Sequence, residues 1–181
     1  MSERYEIRFS GSGGQGMILA GIVMAEAAAI YGDKNAVQSQ SYGPESRVGA
    51  SKAEVIISAQ PIDYPKATSI DCMLALTQEA CTRYHKDIKK GGILLVDAEE
   101  VKDVPNGDFK VYSYPIIATA REELGKIIVA NIISLGMITE LTGVVTHEQI
   151  EQAVLSRVPK AFLDLNKKAL QAGFEKARGL K

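Results

Sequence analysis

The spacing of hydrophobic and polar positions changes several times along the chain, and each change predicts an element. Residues 5–10 alternate and are followed by glycines, which predicts a β-strand. Residues 17–31 are apolar on nearly every side, with Glu26 as their one charged residue, which predicts a buried helix. The runs at 70–76, apolar except for Asp71, and at 93–96, apolar throughout, are typical of strands that are buried on both faces.

The remaining elements follow from the same patterns. Further strands are predicted at 36–41, 51–59 and 109–112, and further helices at 78–89, 126–141, 147–155 and 159–177. Strands alternate with helices through the first two thirds of the chain, and helices alone follow. This order predicts a three-layer α/β/α, Rossmann-like domain with a mostly parallel sheet and a helical C-terminus.

Two features refine that architecture. The loop between strands 36–41 and 51–59 is too short for a crossover helix, so these strands can pair antiparallel, which would make the sheet mixed. A chain of 181 residues is expected to form one domain, so residues 1–181 are interpreted as a single unit.

Composition excludes several functional classes. The net charge is −1, Trp is absent and aromatic residues make up 6% of the chain, so no nucleic-acid partner is expected. Cys72 and Cys81 are too few to hold an iron–sulfur cluster alone. His85 and His147 lack the spacing of metal ligands. We therefore expect no metal or cluster to be held by this chain alone.

The sequence also carries an expectation about location. The first residues are polar, and the longest uncharged apolar run extends only from Met17 to Ala25. A membrane span needs about 20 apolar residues. We therefore expect a cytoplasmic protein with no membrane partner.

The turn after the first strand is rich in glycine and fits the pattern G-x-G-x-x-G. It consists of Gly11, Ser12, Gly13, Gly14, Gln15 and Gly16. Glycines there let a ligand approach the backbone closely, and the following helix offers unpaired N–H groups to a phosphate. A dinucleotide site also needs a carboxylate at the end of the second strand, where residues 38–41 read Gln-Ser-Gln-Ser. A phosphate-bearing ligand, a cofactor surface between subunits and a plain tight turn remain open.

A second loop follows the second strand and concentrates polar chemistry. Its candidate ligand-contacting residues are Tyr42, Gly43, Pro44, Glu45 and Arg47. In a parallel sheet this loop lies on the same carboxyl edge as the glycine turn, where ligands of open α/β sheets bind. The alternative is that Glu45 and Arg47 form an ordinary surface ion pair.

Together the two loops resemble a known family. GSGGQG, followed after one helix and one strand by SYGPESRVGASKAEVIIS, resembles the gamma subunits of 2-oxoacid:ferredoxin oxidoreductases of the 2-oxoglutarate and branched-chain type. The resemblance extends from Tyr5 to about Phe174. The chain also resembles the third domain of pyruvate:ferredoxin oxidoreductase. Val48 stands where this family's second loop often has glycine.

The resemblance implies a subunit of a larger enzyme. That enzyme oxidatively decarboxylates a 2-oxoacid with coenzyme A, and it yields acyl-CoA, carbon dioxide and reduced ferredoxin. Thiamine diphosphate and magnesium are then held between alpha and beta subunits, with iron–sulfur clusters in the beta and delta parts. This chain would hold no cofactor alone, and its two loops would help cover the thiamine diphosphate and coenzyme A region. No residue of this chain is assigned a catalytic role.

Several alternatives stay open at this point. The chain could instead be a stand-alone nucleotide- or phosphate-binding domain, or a purely structural assembly subunit. The sequence leaves open the identity of the 2-oxoacid, the existence of a separate delta subunit and the dimerisation of the isolated chain.

Asp97, after a buried strand, is interpreted as a cap for the next segment. Residues 152–181 carry seven Lys and Arg against two Asp and Glu, which is either a solvated face or a docking surface for an acidic partner.

Overall fold

The structure is a computed structural model, and it describes residues 4–41 and 49–181. Its strands are β1 (Arg4–Ser12), β2 (Asn35–Ser41), β3 (Ala50–Ser58), β4 (Ile70–Ala75), β5 (Ile88–Asp97) and β6 (Lys110–Tyr114). Its α-helices are α1 (Met17–Ala29), α2 (Gln78–Tyr84), α3 (Ile116–Glu122), α4 (Ala130–Thr142), α5 (His147–Arg157) and α6 (Leu163–Arg178). Short 3₁₀ turns occupy His85–Asp87, Ile127–Val129 and Lys160–Phe162.

All six strands form one mixed sheet in the order β2-β3-β1-β4-β5-β6. β1, β4, β5 and β6 are parallel, whereas β3 runs antiparallel to both of its neighbours, β1 and β2. This confirms the α/β fold class and the predicted antiparallel pairing of the second and third strands. Because β1 and β2 are both antiparallel to β3, they run in the same direction, and β2 ends at the same edge of the sheet as β1.

The two faces of the sheet are covered unequally. The larger core lies on the face that carries Ile7 and Phe9 of β1, and α1, α3, α4, α5 and α6 all contribute buried residues to it. On the other face, Met73 and Leu94 pack against Cys81 of α2 and against the segment after β5. Burial of apolar surface in these two clusters stabilises the layered arrangement.

The second face also buries charge beside α2. The Arg8 side chain is 1% exposed. Its Nε donates to Oε1 of Glu54 at 2.8 Å, and its Nη1 donates to Oδ2 of Asp87 at 2.6 Å and to the Tyr84 carbonyl at 2.9 Å. The alternation in residues 5–10 therefore reflects two buried faces of different chemistry, since the polar side of β1 is satisfied inside the protein.

The predicted helix at 78–89 is too long. The helix ends at Tyr84, and β5 already begins at Ile88. Ile88 pairs with Ile70 of β4, and the Lys89 ammonium forms an ion pair with Asp71. These contacts are distant in sequence, so they extend the strand where the local pattern favours helix.

Helix α3 was not predicted from the sequence. It has only seven residues, and Asp97 at the end of β5 fixes its start. The buried Asp97 carboxylate accepts hydrogen bonds from the Ile117 N–H at 2.8 Å and from the N–H groups of Glu99 and Glu100 at 2.9 and 3.1 Å. The capping interpretation of Asp97 is therefore confirmed, and the same carboxylate orders a second segment.

Helices α4 and α6 cross in very close contact through two glycines. A Cβ on Gly136 would collide with the Leu170 carbonyl and lie 3.0 Å from the Cα of Gly173. A Cβ on Gly173 would collide in turn with the Ile133 carbonyl. The obstacles are backbone atoms, which cannot swing aside as a side chain would.

Replacing Gly136 or Gly173 with alanine is expected to destabilise the protein by about 2 kcal/mol. Overpacking costs up to about 3 kcal/mol, and the better helix propensity of alanine returns only about 1 kcal/mol. Urea unfolding of the purified chain measures the difference. Gly179→Ala is the matched control, because its Cβ would have Lys176 and Glu175 carbonyl oxygens at 3.5 and 3.8 Å. Equal stability of all three variants would contradict the close crossing.

Candidate ligand-binding site at the carboxyl edge of the sheet

The glycine turn joins β1 to α1 in a conformation that requires glycine. Gly14 and Gly16 have φ angles of 88° and 76°, which L-residues with side chains rarely adopt. Within the turn, Oε1 of Gln15 accepts from the Ser12 N–H at 2.8 Å, and the Gln15 N–H donates to the Ser12 carbonyl at 3.3 Å. The turn is thus held closed by its own hydrogen bonds.

The turn leaves the N-terminus of α1 available to a ligand. Gly16 precedes the helix without a capping side chain, and the first turn carries no acidic residue. The partial positive charge of a helix N-terminus favours an anion there. Gly14 is exposed, and a Cβ on it would meet no atom of the described residues within 4 Å. The predicted approach of a ligand to this backbone is therefore sterically open.

Apolar walls surround the turn. A cavity of about 230 Å³ lies between Gly14 and Gln15 on one side and Leu76, Ile117, Ile127, Ile128 and Ala130 on the other. An adjoining groove of about 420 Å³ shares Ile128 and continues along Leu19, Asn131 and Phe162. Ile127 and Ile128 are 53% and 76% exposed. Such an apolar concavity with a few polar groups is typical of small-molecule and cofactor sites.

Asn131, in the first turn of α4, is a polar residue that lines the adjoining groove. Its Nδ2 donates to the Gly16 carbonyl at 3.4 Å, and the residue is 4% exposed. A Cβ on Gly16 would collide with the Asn131 amide. Sequence analysis did not single out Asn131 or the exposed Ile127 and Ile128. The available sign was one amide side chain among the apolar residues of the first turn of α4.

The structure describes only the residues on either side of the second predicted loop. Ser41, the last residue of β2, pairs with Lys52, and Ala50, the first residue of β3, pairs with Ser12. The loop therefore begins and ends at the carboxyl edge. The candidate residues Tyr42, Gly43, Pro44, Glu45 and Arg47 lie outside the described residues, so their contribution to the site stays a prediction.

The two cysteines lie in apolar surroundings. Cys72 and Cys81 are both buried and free, and burial raises the pKa of the Cys72 thiol to about 12. Burial also raises the pKa of Cys81. A thiol with a raised pKa is a poor nucleophile, so neither cysteine is activated by its surroundings. Within residues 4–41 and 49–181, no three His, Cys, Asp or Glu side chains lie close enough together to hold a metal ion.

The basic C-terminal segment is largely paired with acidic residues of this same chain. The pairs are Arg157 with Glu26, Lys167 with Glu151, Lys176 with Glu123, and Arg178 and Lys181 with Glu140. The local excess of positive charge is therefore compensated on the surface of the fold. This favours the solvated-face interpretation over docking on an acidic partner.

Among the described helices, none combines the length and the apolar character that crossing a membrane requires.

Comparison with known proteins identifies the family. Residues 6–176 match the model of the pyruvate ferredoxin/flavodoxin oxidoreductase family. The chain belongs to this family. It is 49% identical over 179 residues to 2-oxoglutarate synthase subunit KorC of Methanocaldococcus jannaschii, covering 98% of this chain and 96% of that subunit.

Two further relatives place the chain within the oxidoreductase family. A crystal structure of the keto/oxoacid ferredoxin oxidoreductase gamma subunit from Geobacter sulfurreducens has a TM-score of 0.92, 60% identity and 98% coverage of both chains. Ketoisovalerate oxidoreductase subunit VorA of Methanothermobacter thermautotrophicus is 31% identical over 176 residues, covering 95% of this chain but 36% of VorA. The family therefore uses this domain both as a separate gamma-type subunit and as part of a longer chain. The resemblance to oxidoreductase gamma subunits is confirmed.

Proposed function

We propose that this chain is the gamma subunit of a 2-oxoglutarate:ferredoxin oxidoreductase. The complex would convert 2-oxoglutarate and coenzyme A to succinyl-CoA and carbon dioxide and pass two electrons to ferredoxin. The observation that carries the proposal is the match to 2-oxoglutarate synthase subunits at 49% identity over nearly the whole of both chains. The VorA match supports a branched-chain 2-oxoacid as the second candidate substrate, at the lower identity of 31%.

The role proposed for the chain is to bind the anionic coenzyme at the edge of the sheet. Coenzyme A carries phosphates, which suit the uncapped N-terminus of α1, and an elongated arm, which suits the apolar cavity beside Gly14. Arg47 and Glu45 would complete this site from the second loop. The chain supplies binding and shielding from water, and the carbon–carbon bond cleavage belongs to a cofactor.

The cofactors and partners form part of the proposal. Thiamine diphosphate with magnesium would be held by alpha and beta subunits, and iron–sulfur clusters by beta and delta parts. Electrons would leave to ferredoxin through those subunits. The present chain, proposed as a single domain over residues 1–181, would dock against the alpha and beta subunits. Its exposed Ile127 and Ile128 lie at the same edge as the proposed coenzyme site.

The isolated chain is expected to show no activity. Its two cysteines are too few to hold a cluster, and both are buried. Purified chain, mixed with 2-oxoglutarate, coenzyme A, thiamine diphosphate and a viologen dye, should leave the dye oxidised. The complex co-purified from cells with a tagged copy of this chain should reduce it. Dye reduction by the isolated chain, or none by the complex, would contradict the proposal.

A further inference from the structure

Asn131 keeps a buried acceptor without a partner beside the proposed coenzyme site. Within residues 4–41 and 49–181, its Oδ1 is shielded from water and makes no hydrogen bond. An unpaired buried carbonyl oxygen costs folding free energy, because it gives up its hydrogen bonds to water. A buried group of this kind calls for an explanation, and contact with a ligand is one such explanation.

The glycine turn sets the orientation of the amide in this structure. Nδ2 faces the Gly16 carbonyl at 3.4 Å, and that carbonyl also accepts from the Ala20 N–H at 3.0 Å. A half-turn of the amide would place two oxygens against each other. The nitrogen therefore belongs to the turn, and the oxygen is left over as an acceptor.

The surroundings of Asn131 favour a particular kind of ligand. Asn131 lines the apolar groove that joins the cavity at Gly14 through their shared residue Ile128, and Lys126 also lines this groove. The uncapped N-terminus of α1 lies at the glycine turn. A matching ligand is elongated, carries an N–H donor on an otherwise weakly polar arm and has an anionic group elsewhere.

We propose that Oδ1 of Asn131 accepts a hydrogen bond from an amide N–H on the pantetheine arm of coenzyme A. This inference rests on the proposed function, which supplies coenzyme A as a co-substrate. The other substrate does not fit the position, because ionised 2-oxoglutarate has only acceptor oxygens and no donor for a carbonyl. Because Oδ1 is shielded in this structure, the contact requires the amide to turn about its soft terminal torsion. This turn gives up the 3.4 Å bond from Nδ2 to the Gly16 carbonyl, which keeps its hydrogen bond from the Ala20 N–H.

The same helix offers a matched control. Thr139 of α4 is 1% exposed, and its Oγ1 is the second buried polar atom without a partner among the described residues. It lies eight residues beyond Asn131, which is roughly 12 Å along a helix. Thr139→Val replaces an unpaired hydroxyl with a methyl group of the same branching. Asn131→Leu removes the unpaired Oδ1 together with the 3.4 Å bond from Nδ2 to the Gly16 carbonyl. Only the second change removes the proposed ligand contact.

The experiment is steady-state kinetics of the purified oxidoreductase complex, with coenzyme A and 2-oxoglutarate varied separately. Asn131→Leu is expected to raise KM for coenzyme A at least about tenfold. The reason is that the N–H donor of the bound ligand loses its acceptor and is left unpaired. KM for 2-oxoglutarate should stay within twofold. The melting temperature of the variant chain should change little, because the removal of the unpaired Oδ1 offsets the loss of the long Nδ2 bond to the Gly16 carbonyl. Thr139→Val should leave both KM values unchanged.

The possible outcomes separate the two proposals. An active wild-type complex whose Asn131→Leu variant keeps its KM for coenzyme A overturns the assignment of Asn131 and leaves the proposed function standing. Equal rises in both KM values would also overturn it, because they indicate a general structural defect. If Asn131→Leu fails to fold, Asn131→Ala removes the same oxygen without added bulk, and the same rise in KM is expected. If the turnover of the wild-type complex does not depend on coenzyme A, both proposals are overturned.

Discussion

Replacing Gly14 with valine is expected to lower kcat/KM for coenzyme A of the assembled complex by more than about tenfold. The new side chain would project into open space beside the N-terminus of α1, where no atom of residues 4–41 and 49–181 lies within 4 Å of the added Cβ. A β-branched residue would also be strained at a φ of 88°. The measurement is steady-state kinetics with varied coenzyme A.

The strain at Gly14 can be separated from the loss of ligand contact. Gly91, near the start of β5, has a φ of 77°, and an added Cβ there would also have no atom from the described part of the chain within 4 Å. It lies toward the opposite end of the parallel strands from the glycine turn. Gly91→Val should therefore lose a similar amount of stability, about 1–3 kcal/mol, with kcat/KM within twofold of wild type. Full activity of the Gly14→Val complex would reduce that glycine to a turn former.

Replacing Arg47 with alanine is expected to raise KM for coenzyme A or slow turnover by about 10–150-fold. A hydrogen bond to a charged group contributes about 1.5–3 kcal/mol, and a guanidinium can grip a phosphate or carboxylate through two parallel bonds. The stability of the chain should hardly change. Arg47→Lys keeps the charge but loses the paired geometry, so it should recover only part of the loss.

The kinetics of the Arg47 variant also indicate which anion it binds. A rise in KM confined to coenzyme A indicates a phosphate contact, and a rise confined to 2-oxoglutarate indicates a carboxylate contact. Arg83→Ala is a suitable control, because Arg83 is exposed on α2, on the opposite face of the sheet from α1. Kinetic constants of Arg47→Ala within twofold of wild type would make Arg47 a surface or assembly residue.

The parts of the fold that the sequence predicted are those with a strong local period. Alternation at 5–10 led to β1, and the apolar run at 17–31 led to α1. The short connection between the predicted strands 36–41 and 51–59 led to the antiparallel β2–β3 pair. The glycine turn was predictable because only glycine adopts the positive φ at Gly14 and Gly16 readily.

The parts that sequence reasoning missed depend on partners distant in the chain. The start of β5 is set by pairing of Ile88 with Ile70, and the start of α3 by the carboxylate of Asp97. Asn131 belongs to the candidate site because folding brings α4 against the glycine turn, more than one hundred residues away in sequence. No periodicity or spacing in the sequence encodes that contact.

The identity of the enzyme is tested most directly by the substrate preference of the complex that co-purifies with this chain. Ferredoxin reduction should be followed with 2-oxoglutarate, 2-oxoisovalerate and pyruvate in turn, each with coenzyme A. We expect the highest kcat/KM for 2-oxoglutarate and succinyl-CoA as the product. A higher kcat/KM for 2-oxoisovalerate or pyruvate, or the absence of any co-purifying oxidoreductase subunit, would contradict the assignment.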